Sequence, residues 1–218
     1  MTIEGPSLFA LRSVLAFRDV AEDELKRLAM QMTVRNYRRK EVIVRQGEPS
    51  SHIYFQVSGF VKVCRGGPLS QRNADDRRGR DRQEVALAIL GPGHMLGEMA
   101  ALTDAPRSAS IVALSDCSLL QFERQAFIDS ARRYPEVSFF VMRYLVTRLR
   151  DSSRQIDLMK APIDVRVVAL LRNLREIGLP QELYPSNAEI ARMVGASREA
   201  VSQVVQQFKE APAQRTAP

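Results

Sequence analysis

The 218-residue sequence predicts an α+β protein in which a β-roll of the jelly-roll type is followed by one long helix and then by two short helices. Three observations predict this order. Short β-rich segments with glycine turns fill the first half, helical periodicity follows Pro135, and two short amphipathic segments flank Gly195. The 45% hydrophobic content is ordinary for a protein with a buried core, and the length favours two domains of unequal size.

The first 30 residues are predicted to be helical. The acidic residues 22–24 favour a helix N-terminus. The apolar positions that recur at helical spacing are Leu8, Leu11, Leu15, Leu25, Leu28 and Met32. From Tyr37 the periodicity changes, and strands are predicted at residues 41–45, 52–57, 60–64, 85–90, 108–114 and 118–122. Repeated short strands with glycine turns indicate a sandwich or a roll.

A charged segment at residues 65–84 interrupts the series of strands. It holds six arginines and four acidic residues and almost nothing apolar, so it cannot bury itself and is expected to form a mobile hairpin loop. One interpretation is a solvated insertion, and the other is a contact with DNA or with RNA polymerase.

The long helix is predicted from Pro135 to about Met159. Its apolar positions are spaced alternately by three and four residues, which is the heptad seam of a two-stranded coiled coil and predicts a homodimer. The seam consists of Met142, Leu145, Leu149, Ser152, Ile156 and Met159. The alternative is an amphipathic helix that lies on its own domain. Pro162 ends the helix and begins a hinge at residues 161–164.

Composition and charge exclude several classes of protein function. The net charge of +7 favours polyanionic partners, although only slightly. The sequence has no apolar run of membrane-spanning length and no signal-peptide pattern near Met1, so we expect a cytoplasmic protein without a membrane partner. Two cysteines and two histidines provide no ligand spacing for a metal, and no catalytic triad is recognisable, so neither a metal nor an enzyme is expected.

Residues 97–109 are predicted to form an anion-binding loop. Gly97 permits a tight turn, and the following residues, Met99 among them, can form one helical turn whose N–H groups attract an anion. Arg107 adds a bidentate fork, while Ser108 supplies a hydroxyl and Ala109 a main-chain N–H. Glu98 would accept hydrogen bonds from a sugar hydroxyl. The alternative is that Glu98 and Arg107 pair with each other and bind no ligand.

The C-terminal segments 186–194 and 197–208 have the pattern of a helix-turn-helix. Ser186 or Asn187 can cap the first helix and Ser197 the second. The apolar face of the second helix is formed by Val201, Val204, Val205 and Phe208. With this face buried, the second helix would turn four residues outward, into a DNA major groove. These are Arg198, Glu199, Ser202 and Gln203.

The stretch G-E-M-A-A-L-T-D-A-P-R-S-A at residues 97–109 resembles the phosphate-binding cassette of the superfamily of the cyclic-AMP receptor protein and the fumarate-nitrate regulator. The run G-A-S-R-E-A-V-S at residues 195–202 is similar to its recognition helix. The resemblance implies a cyclic nucleotide, cyclic AMP rather than cyclic GMP, bound by Gly97, Glu98, Met99, Arg107, Ser108 and Ala109. It also places Ser152 and Ser153 at the positions that contact adenine.

The resemblance implies a transcription regulator: a homodimer that binds an imperfect palindrome in double-stranded DNA and acts with RNA polymerase. It divides the chain into a sensor domain at 1–134, a dimerisation helix at 135–160 and a DNA-binding domain at 161–218. Ser197, Arg198, Glu199, Ser202 and Gln203 would face the DNA. The alternatives are a cyclic-nucleotide-binding module that acts on a protein partner, and a family member that binds DNA without a nucleotide.

Two features depart from the family pattern. Gln203 stands where the family usually has arginine, which changes the expected operator preference. Residues 211–218, after Glu210, do not have the pattern of the two-stranded wing that follows the recognition helix in relatives, so we expect a DNA-binding domain of winged-helix type with its wing missing.

Overall fold

The computed structural model describes Leu11, residues 20–67 and residues 84–210, with side chains as far as Gln207. Most of the charged segment 65–84 and the whole of segment 211–218 lie outside the described residues, as do Leu8, Leu15 and the side chain of Phe208. The chain divides into two compact units between Arg148 and Leu149.

The first unit contains two four-stranded antiparallel sheets. Helix α1 (Glu22–Ala29) precedes strands β1 (Met32–Tyr37), β2 (Val42–Val44), β3 (His52–Ser58), β4 (Val61–Arg65), β5 (Val85–Leu90), β6 (Met95–Leu96), β7 (Ser110–Ala113) and β8 (Cys117–Glu123). Helix α2 (Glu98–Thr103) lies between β6 and β7. The order of strands is β1-β8-β3-β6 in one sheet and β2-β7-β4-β5 in the other. The predicted α+β class with an antiparallel β-roll is confirmed.

Strand β3 is covered on both faces, which explains why its sequence is a nearly continuous apolar run. Ile53 and Phe55 belong to one hydrophobic cluster, together with residues of α1 and of helices α3 (Arg124–Arg133) and α4 (Pro135–Met159). Tyr54 belongs to the other cluster, with residues of the second sheet. Burial of alternate residues in different clusters fixes the register of β3, because a shift by one residue would exchange the two faces.

Three features of the first unit differ from what the sequence patterns indicated. Helical spacing does not continue to Met32, because α1 ends at Ala29 and Met32 begins β1, where it pairs with Phe122 of β8. The two-residue strand β6 was not expected. Helical structure returns before Pro135, because the carboxylate of Glu123 accepts the N–H groups of Gln125 and Ala126 and thereby caps the start of α3. In each case a partner distant in sequence, or a cap, outweighed the local spacing.

The second unit is helical. After the end of α4 it contains α5 (Ile163–Glu176), a 3-10 turn (Gln181–Leu183), α6 (Asn187–Val194) and α7 (Arg198–Glu210). The last three helices enclose one core, formed mainly by Val167, Leu171, Ile190, Ala191, Val194 and Val201. The three-part division of the chain stays a prediction. In the part of the chain that the structure describes, no helix is long and apolar enough to cross a membrane.

Candidate functional site

The first unit contains a cavity that is lined in part by the predicted anion-binding loop. Both ends of the loop line it, and its other walls are mainly apolar side chains from the two sheets, among them Val44 and Leu96. The predicted residues found in the lining are Gly97, Glu98, Met99, Arg107, Ser108 and Ala109. An apolar pocket with a few convergent polar groups is the usual form of a small-molecule site.

Arg107 is held in this site by main-chain carbonyls. Its Nη1 donates to the oxygen of Gly97 at 2.8 Å, and its Nη2 donates to the oxygen of His52 at 2.5 Å. The main-chain N–H of Arg107 donates to the carbonyl of Glu48, and its carbonyl accepts from the N–H of Gly47, both at 2.9 Å. Only 6% of Arg107 is exposed, and this burial lowers the pKa of its guanidinium. Both carbonyl partners are neutral, so Arg107 is a buried cation whose charge is available to an anion.

Glu98 is the first residue of α2, and its surroundings differ from those of Arg107. The helix begins after Gly97, whose φ of 77° is in the left-handed region. The Glu98 carboxyl is half-buried, and burial raises its pKa, while the positive charges of Arg148 and Arg107 act in the opposite direction. The alternative in which Glu98 and Arg107 form an ion pair is not what the structure shows, because the guanidinium is bonded to carbonyls instead.

Arg148 is a site residue that the sequence reasoning missed. It belongs to α4, is half-buried, and lines the same cavity as Glu98 and Arg107. No local pattern distinguishes it from the other arginines of α4, so only the fold reveals its position. It brings a second cation to the site.

The remaining predicted ligand residues differ in their surroundings. Ser108 is exposed, and its carbonyl accepts from the Nε of Arg65 at 3.2 Å. Ser152 and Ser153 belong to the second unit, where both are exposed and the hydroxyl of Ser153 donates to the carbonyl of Leu149. Their contact with a ligand stays a prediction.

The pair of helices α6 and α7 forms a second candidate site. Ser186 caps α6 in a capping box with Glu189, and Ser197 caps α7 by accepting from the N–H of Ala200 at 3.2 Å. Gly195 ends α6 with a φ of 63°. Both cap predictions are confirmed, with Ser186 rather than Asn187 as the first cap.

Most of the residues predicted to face DNA are exposed on this pair of helices. Ser197, Arg198, Glu199 and Gln203 are exposed. Ser202 differs from the prediction, because it is half-buried and its hydroxyl accepts from the amide of Asn187 on α6 at 3.0 Å. Ser202 therefore joins the two helices rather than pointing outward.

Comparison with known proteins identifies the class of the roll. Residues 34–134 match the family model of the cyclic nucleotide-binding domain, and this range contains every cavity residue named above except Arg148. Among the described residues, no group of three or more His, Cys, Asp or Glu side chains gathers to hold a metal ion.

Relatives extend the match beyond the roll. The chain is 32% identical to the "Cyclic AMP receptor protein" of Thermus thermophilus over 93% of its own length and 88% of that protein. It is 28% identical to the "CRP-like cAMP-activated global transcriptional regulator" of Mycobacterium tuberculosis, over 88% and 84%. The crystal structure of the Thermus thermophilus catabolite activator protein is similar, with a TM-score of 0.53, 31% identity and coverage of 93% and 90%. The chain therefore belongs to the superfamily of the cyclic-AMP receptor protein and the fumarate-nitrate regulator.

Proposed function

We propose that this protein is a cyclic-nucleotide-controlled transcription regulator that binds DNA as a homodimer. The observation that carries the proposal is the cavity of the roll, which brings Arg107, Glu98 and Arg148 together on mainly apolar walls. Its relatives in Thermus thermophilus and Mycobacterium tuberculosis are named as a cyclic AMP receptor and a cAMP-activated regulator. We assign no catalytic role to the chain.

Arg107 is the proposed phosphate ligand. A cyclic phosphate would replace the carbonyls of Gly97 and His52 as hydrogen-bond acceptor, because a charged acceptor binds a guanidinium more strongly than a neutral carbonyl does. Ser108 and Ala109 follow Arg107 in the lining of the cavity and would supply a hydroxyl and a main-chain N–H. The first turn of α2 leaves further N–H groups without intrahelical acceptors.

Glu98 is the proposed ribose ligand. A half-buried carboxylate is costly unless its oxygens accept hydrogen bonds, and a ribose 2′-hydroxyl is a suitable donor. The positive charge of Arg148 would oppose the effect of burial on the pKa of Glu98 and balance the charges of the site. We expect cyclic AMP to be preferred over cyclic GMP, with Ser152 and Ser153 contacting the base.

The long helix supports the homodimer. The predicted seam of α4 is exposed in the single chain, where 68% of Leu149 and 62% of Ile156 are accessible. Large apolar side chains in heptad spacing are stable on a surface when a second copy covers them. The same seam includes exposed Met142, Leu145 and Met159.

The exposed start of α7 supports DNA binding. Arg198 and Glu199 project from the first turn of the second helix of a helix-turn-helix, which is the part that reaches base edges. Arg198 would contact guanine or phosphate, and Glu199 would accept from cytosine N4. Two such helices in a dimer would read an imperfect palindrome, with RNA polymerase as the protein partner and the cytoplasm as the compartment.

Calorimetric titration of the purified protein with cyclic AMP and cyclic GMP, with and without operator-like DNA, tests the proposal. Arg107→Ala and Glu98→Ala should each weaken nucleotide binding at least tenfold, since hydrogen bonds to charged groups contribute about 1.5–3 kcal/mol. Arg132→Ala, an exposed change on α3, is the control and should bind like the parent. A parent that binds neither nucleotide would overturn the proposal. Binding of nucleotide but of no DNA would favour a module that acts on a protein partner.

A further inference from the structure

Arg107 and Arg124 bind the two ends of α2, and each also bonds to one of two consecutive residues, Ser51 and His52. Arg107 bonds the carbonyl of Gly97, just before α2, and also the carbonyl of His52. At the other end of the helix stands Arg124, whose main-chain N–H donates to the carbonyl of Ser51 at 2.9 Å. Ser51 directly precedes His52, so both arginines are tied to the start of β3.

The Arg124 side chain holds the last turn of α2. Its Nε donates to the carbonyl of Ala101 at 2.8 Å, and its Nη2 lies 3.1 Å from Oδ1 of Asp104. The carbonyl of Ala101 is one of the last four of the helix, which have no intrahelical donor. Asp104 ends the helix with a φ of 58°, in the left-handed region, which Asp adopts more readily than most residues with a Cβ. Arg124 therefore satisfies a helix terminus and pairs with the residue that ends it.

The two contacts of Arg124 are unequal. Asp104 is 83% exposed, so its ion pair is screened by solvent and weak by itself. Ala101 is fully buried, and the Arg124 side chain is only 24% exposed. The bond to the buried carbonyl is thus the stronger of the two, and the ion pair orients the guanidinium that makes it.

We propose that Arg124 is a positioning residue of the ligand site, which fixes the C-terminal end of α2 so that Glu98 at its other end keeps its place in the cavity. This inference rests on the proposed nucleotide binding. When a phosphate takes Arg107 from the Gly97 carbonyl, the start of α2 loses that contact, and Arg124 holds the end that remains. Arg124 is the first residue of α3, so its contacts tie the end of α2 to the start of that helix.

Substitution of Arg124 with a matched control on the same helix tests this role. Arg124→Gln should bind cyclic AMP about tenfold more weakly than the parent, within the range of coupling between sites. Arg132→Gln, which removes an exposed arginine paired with Asp129, should bind like the parent. Arg124→Lys should recover part of the loss, because one ammonium group can reach either Ala101 or Asp104 but not both.

A reporter on α2 measures its position without any ligand. The sequence contains no tryptophan, so Leu102→Trp places a unique indole on the exposed side of α2. Adding Arg124→Gln should make the indole more mobile in fluorescence anisotropy decay, whereas adding Arg132→Gln should not. Should Arg124→Gln fail to fold, Arg124→Lys and Asp104→Asn, which each remove one contact, provide the same comparison.

The two measurements separate the inference from the proposed function. A parent that binds neither cyclic AMP nor cyclic GMP overturns the proposed function, while the indole still reports whether Arg124 holds α2. A parent that binds cyclic AMP, combined with Arg124 variants of equal affinity and equal indole mobility, overturns the role of Arg124.

Discussion

Gly97 and Arg107 depend on each other. The Nη1 of Arg107 donates to the carbonyl of Gly97 at 2.8 Å, and a Cβ added to residue 97 would lie only 2.1 Å from that same Nη1. The glycine is required both by its φ of 77° and by the close approach of the guanidinium. A single methyl group at residue 97 therefore tests the geometry of the site.

We expect Gly97→Ala to displace Arg107 and to weaken nucleotide binding strongly. Left-handed backbone costs about 1–2 kcal/mol in a residue with a Cβ. Gly93→Ala is the matched control, because Gly93 has a φ of 91° but nothing lies within 4 Å of its added Cβ. Gly97→Ala should lose more stability than Gly93→Ala in thermal unfolding, because its Cβ also displaces the buried guanidinium, and calorimetry should find that only Gly97→Ala loses affinity. Equal affinity in the two variants would contradict the proposed role of this contact.

Glu98→Gln should stabilise the protein at neutral pH while weakening nucleotide binding. Burial raises the pKa of Glu98, so the folded state keeps this proton to a higher pH than the unfolded state does. The carboxyl therefore contributes stability at pH values below its ordinary pKa, and this contribution is lost as the pH rises through the folded pKa. Glu98→Gln does not lose stability in this way, because glutamine does not titrate. Unfolding midpoints measured from pH 4 to pH 8 should show the parent falling relative to the variant.

Glu123→Gln provides a control of opposite sign. Hydrogen bonds from the N–H groups of Ala126 and Gln125 lower the pKa of Glu123. Its stabilising contribution is present above the ordinary carboxyl pKa and is lost as the pH falls through the folded pKa. At neutral pH the Glu123 variant should therefore be less stable than the parent. Changes of the same sign in both variants would refute the assignment.

Charge in the exposed seam should separate the proposed dimer. Leu149→Glu combined with Ile156→Glu puts two carboxylates on the apolar face of α4 and should give monomers in sedimentation velocity. Thr147→Glu combined with Arg154→Gln changes the net charge equally at exposed positions outside the seam and should leave a dimer. A monomeric parent at micromolar concentration would exclude dimerisation through this helix.

The start of α7 should determine DNA specificity. Glu199→Ala should relax the preference at one base pair, since a base-specific contact contributes about 1–3 kcal/mol of discrimination. If Arg198 binds phosphate, Arg198→Ala will weaken all sequences alike and reduce the salt slope by about one. Gln207→Ala, an exposed change farther along α7, is the control. Site selection from random DNA compares the three variants with the parent. If the parent selected no symmetric motif, this result would count against DNA binding.

The sequence predicted the parts of the site that depend on local chemistry. Gly97 and Arg107 stand at the two ends of one loop, and their spacing alone indicated an anion site. The caps Ser186 and Ser197 were likewise predictable, because a cap bonds N–H groups two or three residues away. The heptad spacing of Leu149 and Ile156 predicted an apolar stripe that the single chain leaves exposed.

Only the tertiary structure decided which distant groups meet. Met32 continues a helical spacing, yet it is a strand residue because β8 offers it a pairing partner at Phe122. Arg148 reaches the cavity, and Arg124 reaches Ala101, from helices far along the chain. Arg107 binds the carbonyls of Gly97 and His52, and Arg124 binds that of Ala101, yet a main-chain carbonyl is the same in every residue. No residue type marks such partners in a sequence, so they become visible only when the folded chain brings them within hydrogen-bond distance.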